Sequence, residues 1–155
     1  MFGKTKTIFT MKKIYTLALG AFALLAPLSL SANDMPIPVD QLPAAAQTFV
    51  TKTFPGKTIV YAEKDLDYVV EYEARLSDGT KVKFTEAGDW KKVDCNYQAV
   101  PAALVPEVIA TYVTTNYPGT MIVEIKKAVY GYEVKITNGL ELKFNPTGTL
   151  LGIDD

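Results

Sequence analysis

Hydrophobic and polar positions along this chain follow two periods, and the periods change over in the same order twice. Leu42, Ala45, Ala46, Phe49, Val50 and Thr53 recur at spacings of three and four residues, the signature of one buried helix face. Pro43 suits a first helical position, and Pro55-Gly56 stops the run. Val105, Val108, Ile109, Tyr112 and Val113 repeat the pattern and end at Pro118-Gly119.

Strict alternation follows each helix. Between Tyr68 and Leu76 the even positions Tyr68, Val70, Tyr72, Ala74 and Leu76 are apolar, while Glu71, Glu73 and Arg75 lie between them. Tyr130, Tyr132, Val134 and Ile136 alternate in the same way with Glu133 and Lys135. The even side is expected to pack on the helices. Asp78-Gly79 and Asn138-Gly139 are hairpin signals, and the alternation continues after them through Val82 and Phe84, or Leu140, Leu142 and Phe144. Gly88 and Gly148 mark further turns before Trp90 to Val93 and Leu150 to Ile153, and earlier strands are expected at Thr58 to Lys64 and Met121 to Lys127.

The recurrence is an internal repeat. Leu42 to Val60 aligns without a gap on Val105 to Val123 at an offset of 63, with eight identities that include Pro43 with Pro106 and Pro55-Gly56 with Pro118-Gly119. After a three-residue deletion the match resumes at an offset of 60, pairing Lys83-Phe84 with Lys143-Phe144 and Gly88 with Gly148. Each unit is one helix and four antiparallel strands, too small to bury much apolar surface alone. The expected α+β fold is therefore one curved antiparallel sheet of about eight strands, both helices on one face and the other face open. The repeats run from about 40 to 97 and from 98 to 155, within a single domain from residue 33 onward.

Ahead of them, Lys12 and Lys13 precede an apolar run from Ile14 to Leu30 and the small residues Ser31 and Ala32, the order of a secretory signal peptide over residues 1–32. Pro27 and the absence of a basic flank favour cleavage over a membrane anchor. Lys4 and Lys6 either extend the charged region or precede a start at Met11. Removing four lysines leaves 12 basic residues against 17 acidic ones, a formal charge of −5. An acidic exported domain without a basic cluster is a poor match for nucleic acid.

Composition narrows the chemistry further. The chain has no histidine and one cysteine, which excludes Ser-His-Asp and Cys-His catalysis, His-ligated metals and any disulfide within the chain. Cys95 is read as a buried apolar residue, ahead of a free thiol or an intermolecular crosslink.

Two copies of a Leu/Val-Pro helix ending in Phe/Tyr-Pro-Gly, followed by Tyr-rich strands, Asp/Asn-Gly, Lys-Phe and Gly-x-Trp/Leu behind a signal peptide, resemble the PepSY-like family of bacterial periplasmic proteins, also called β-lactamase-inhibitor-like. The resemblance runs from about Leu42 to Asp154. It implies a two-repeat fold shared with a secreted inhibitor whose sheet face clasps its enzyme target, and inhibition or modulation of some envelope protein. No inhibitory loop matches residue by residue, so the resemblance transfers no target-binding site and does not make β-lactamase the target.

Candidate contact residues follow from strand parity. The outward side carries Ile59, Tyr61, Val69, Glu71, Glu73, Arg75, Lys81, Lys83, Ile122, Glu124, Glu133, Lys135, Glu141 and Lys143. Of these, Ile59, Tyr61, Glu71, Glu73, Arg75, Lys83, Ile122, Glu133 and Lys135 form the expected partner-binding set, an arrangement of apolar anchors with a polar rim. Trp90 joins it as an ambiguous member, since its repeat counterpart Leu150 speaks for packing. The competing reading is a wetted sheet kept soluble by Glu and Lys/Arg pairs.

Glu63, Asp65 and Asp67 have oxygen ligands at alternate positions, as calcium needs, but lack the glycine and distal glutamate of an EF-hand, and an ordinary acidic turn is expected. Glu71 and Glu73 face water beside lysines, which does not favour acid–base catalysis. No catalytic, metal or cofactor site is assigned. The chain reads as an exported, non-enzymatic periplasmic module that binds a protein partner through its open face and inhibits or modulates it. The alternative is a small-ligand or calcium-responsive envelope sensor.

Overall fold

Among the described residues nine strands lie in chain order, each hydrogen-bonded antiparallel to the next. A computed structural model describes residues 33–155, so the expected leader falls outside the described residues. The strands are β1 (Asp34–Pro36), β2 (Ile59–Asp65), β3 (Glu71–Leu76), β4 (Lys81–Thr85), β5 (Trp90–Asp94), β6 (Ile122–Ala128), β7 (Gly131–Ile136), β8 (Glu141–Phe144) and β9 (Leu150–Asp154). Helix α1 (Ala44–Thr53) precedes β2, and α2 (Glu107–Asn116) precedes β6. The α+β fold and the helix-plus-four-strand units are as the periodicity implies. The ninth strand is β1, a three-residue edge too short to show a period, whose Pro36 is tolerated at a sheet margin.

Each helix starts one residue later than expected, with Pro43 and Pro106 as the residues just before the first turn. The apolar stripe then does the packing. Ala46 and Val50 of α1, and Ile109 and Val113 of α2, are buried in one continuous core with Leu76, Val82, Phe84, Val93, Ile125, Ile136, Leu142 and Phe144. Burying each such aliphatic side chain stabilises the fold by about 1.5–3 kcal/mol. The two repeats build the same aromatic contact under each helix. Phe49 meets Phe84 edge-on at 5.8 Å, and Tyr112 meets Phe144 edge-on at 5.3 Å. The repeats join where β5 pairs with β6, setting Val93 opposite Ile125 in the core.

The turn glycines are specific to this packing. Gly88, at φ +90°, lies so close to α1 that a Cβ would come within 2.9 Å of Pro43 Cβ and 3.0 Å of Ala46 N. Gly148, at φ +85°, is as close to Val108 of α2, at 2.8 Å. In each repeat the last hairpin tucks under the start of the helix, and only glycine fits there.

Four strand pairs carry a bulge, and β8–β9 repeats at Leu150 the irregularity that β4–β5 shows at Trp90. In β2, Ile59 pairs with Leu76 and Tyr61 with Arg75, so a bulge absorbs Val60, and the same irregularity separates Ile122 from Glu124 in β6. The extra residue reverses the side on which the strand starts. Ile59 and Ile122, expected outward, therefore pack against the core. Trp90 also lies on the helix side, paired with Phe84 across a third bulge and stacked on Phe49 at 6.2 Å. Tyr68 and Tyr130, expected beneath the helices, precede β3 and β7 instead; Tyr68 is fully exposed in the β2–β3 turn and Tyr130 is 39% exposed.

Candidate functional site

Both helices cover one side of the sheet, so the other side is formed by the alternate strand residues alone. One cross-strand row on this open face runs Glu63, Glu73, Lys83, Lys92, Lys126, Glu133, Lys143. The next runs Tyr61, Arg75, Lys81, Asp94, Glu124, Lys135, Glu141, Asp154. Along β6–β9 most neighbours have opposite charge, the arrangement expected of a solvated sheet. Elsewhere like charges meet. Asp34 lies opposite Asp65, Asp65 opposite Glu71, and Glu63 opposite Glu73, whereas Lys83 lies opposite Lys92 and Lys92 opposite Lys126. Acid thus gathers on β1–β3 and lysine on β4–β6.

Three depressions follow the joint between the repeats. A groove of about 550 Å³ is lined by Glu71, Lys83, Lys91, Lys92, Lys126, Lys127, Ala128 and Val129. A smaller hollow of about 130 Å³ lies among Glu73, Lys81, Lys83, Lys92 and Asp94. A third, about 330 Å³, is bounded by Asp94, Asn96, Tyr97, Glu124 and Lys135 among others. Tyr97 stands 90% exposed on the connection that leaves β5, and Asn96 anchors that connection at φ +55° by donating its side-chain amide to Gly79 O at 2.8 Å.

Ion pairs organise the face. Glu71 pairs with Lys91, Lys92 with Glu124 at 2.8 Å, and Lys126 with Glu133 at 3.6 Å. Glu73 lies between Arg75 at 3.2 Å and Lys83 at 3.9 Å. The Tyr130 hydroxyl donates to Glu133 Oε2 at 2.6 Å; this bond, reinforced by Lys126, holds the Glu133 carboxyl below its ordinary pKa despite partial burial, and raises that of the phenol. Near the β1 edge the Arg75 guanidinium covers the Tyr61 ring at 5.0 Å. Burial, together with the adjacent Glu63 carboxylate, raises the Tyr61 phenol above its usual pKa. Glu63 is itself 6% exposed, and its Oε2 has no hydrogen-bond partner.

Of the residues picked from the sequence, Glu71, Glu73, Lys83 and Lys135 line these depressions, and Glu133 adjoins them through Lys126. Tyr61 and Arg75 share the face but lie toward its β1 edge. Ile59, Ile122 and Trp90 are absent from it. Sequence reasoning missed Lys91, Lys92, Lys126, Lys127, Asp94 and Tyr97. The available signal was the pair of dilysines at the ends of β5 and β6. Strand parity splits each such pair between two faces, but the β5 bulge brings Lys91 to the groove with Lys92.

A family model described as "Putative beta-lactamase-inhibitor-like, PepSY-like" matches residues 29–73 and 70–152. The chain belongs to the PepSY-like family. The solved structures it is similar to include periplasmic proteins from Bacteroides species. A "putative periplasmic protein of unknown function" from Bacteroides vulgatus is 32% identical, with a TM-score of 0.75 over 79% of this chain and 99% of that one. A "putative calcium-regulated periplasmic protein" from Bacteroides thetaiotaomicron is 39% identical, with a TM-score of 0.74 over 79% of this chain and 97% of that one. A second Bacteroides vulgatus protein, described as a "putative periplasmic protein from DUF2874 family", is 38% identical, with a TM-score of 0.74 over 81% and 100%. No curated protein matches. This PepSY-like chain is accordingly periplasmic. Among its described residues no helix is long and apolar enough to cross a membrane.

Proposed function

We propose that this PepSY-like protein is a non-enzymatic binding module, delivered to the envelope by a leader over residues 1–32, that holds a protein partner on its open sheet face and inhibits or modulates it. The observation that carries the reading is the one-sided placement of the helices, which leaves a nine-stranded face with three adjoining depressions along the joint of the repeats. Glu71 and Glu73, the carboxylates nearest to an acid–base pair, are each held by a cation, which suits recognition better than proton transfer. Capture from envelope extract tests the proposal. Wild type is expected to retain a partner that Tyr61→Ala plus Lys83→Ala does not, with the variant's circular dichroism unchanged; identical retention would refute it.

A second reading, a calcium-responsive sensor, has one observation in its favour. The unpartnered buried Oε2 of Glu63 lies in a strand flanked by Asp34, Asp65, Glu71 and Glu73, and a structural neighbour is named as calcium-regulated. Among the described residues no group of three metal-ligating side chains is already assembled, so an ion would have to draw these carboxylates together. Calcium titration followed by calorimetry decides it: heat and a thermal shift that Glu63→Gln abolishes would favour the sensor, and silence would dismiss it.

A further inference from the structure

The five lysines of the 550 Å³ groove are the least expected feature of an acidic protein. Lys83, Lys92 and Lys126 sit directly opposite one another on three successive strands, about 5 Å apart from strand to strand. Like charges so placed destabilise a sheet. Flanking glutamates offset the repulsion without removing it, since each ammonium has three donors and each is matched to one carboxylate. Lys127 lines the groove's margin, but its ammonium lies 3.9 Å from the centroid of the Trp90 ring on the helix side, so the row that faces the groove is Lys83, Lys92 and Lys126.

The end of the groove is apolar. All hairpins that leave β2, β4, β6 and β8 turn at the same end of the sheet, because the strands alternate in direction without a crossover. Two of those tips expose greasy side chains. Val129 lines the groove and is fully exposed, and Tyr68 and Val69, at 102% and 67% exposure, lie in the β2–β3 turn just ahead of Glu71, which lines the groove from β3. A row of ammonium groups between two apolar tips selects a ligand that carries both carboxylates and apolar side chains on one strand-like backbone.

Resting on the open-face reading above, we infer that the groove at the joint of the repeats takes an acidic, apolar-interspersed peptide segment of the partner, its carboxylates on Lys83, Lys92 and Lys126 and its apolar residues against Val129 and Tyr68. The interspersed glutamates and the chain's net charge of −5 after leader removal disfavour an anionic lipid surface or a nucleic acid, which would meet repulsion beyond the groove.

The test is fluorescence anisotropy with a labelled alternating Glu-Val decapeptide and an alternating Lys-Val control, using protein purified after export from the full chain. The Glu-Val peptide is expected to bind saturably and more weakly as salt rises past the point where the screening length falls below about 8 Å. Lys92→Gln plus Lys126→Gln is expected to weaken it by about tenfold or more, while Lys52→Gln plus Lys143→Gln, both outside the groove, leaves it within about twofold. Equal binding of the two peptides, or equal loss in both double variants, overturns the inference. So does Lys92- and Lys126-dependent sedimentation with phosphatidylglycerol vesicles, or self-association, in place of peptide binding. If the groove variant still captures its envelope partner while the Tyr61 and Lys83 variant does not, the open-face function stands and the acidic-segment assignment alone falls.

Discussion

Tyr130 and Glu133 show how single groups on the open face are tuned. The phenol donates to the carboxylate, and the carboxyl is thereby held below its ordinary pKa. A group whose folded pKa is depressed adds stability that is complete above its unfolded value and fades as pH falls through the folded one. Tyr130→Phe should therefore reduce stability at neutral pH and leave the two proteins equal once Glu133 is protonated in both. Carboxyl-detected NMR titration should show the Glu133 pKa rising toward the ordinary range; an unchanged titration would contradict the assignment. Cys95 is the opposite case. It is 4% exposed, and burial raises its thiol pKa, which fits the expected apolar role and leaves it a poor nucleophile at neutral pH.

Elements were legible in the sequence wherever a period ran long enough. Both helices, the Asp-Gly and Asn-Gly hairpins and the core positions of β3, β4, β7 and β8 follow directly from spacing. What spacing could not show was the bulges. One inserted residue each in β2, β5, β6 and β9 broke the alternation, moved Ile59 and Ile122 under the helices and put Lys91 into the groove, and local periodicity carries no mark of an insertion that the partner strand enforces. Edge strand β1 and the exposed tips at Tyr68 and Tyr130 escaped for a related reason, since turns there follow pairing rather than alternation. The glycines were read as turn markers, while the structure adds a packing role. Gly88→Ala should cost about 1–3 kcal/mol, because the new methyl group meets α1 and the backbone holds a left-handed φ. Gly139→Ala, with a similar φ and nothing within 4 Å, should cost less. Chemical denaturation of the two variants separates the backbone penalty from the helix contact; equal losses would mean that the helix contact adds nothing.

At the scale of the molecule, the duplicated units share one core and one sheet, joined through Val93 and Ile125. Ile125→Ala removes a fully buried side chain at that joint and should cost about 2–5 kcal/mol. Calorimetry should show a single transition moved to lower temperature; two separated transitions would mean that the repeats fold independently. The same joint concentrates the charge pattern. Lysine gathers on β4–β6, the strands that span the joint, and the largest of the three depressions described lies among them. The most direct measurement is photocrosslinking in intact cells from single positions. A crosslinker at Lys83 or Lys126 should capture a defined envelope protein, and one at Lys52, exposed on α1, should not. Capture from Lys52 with none from the open face would contradict the account.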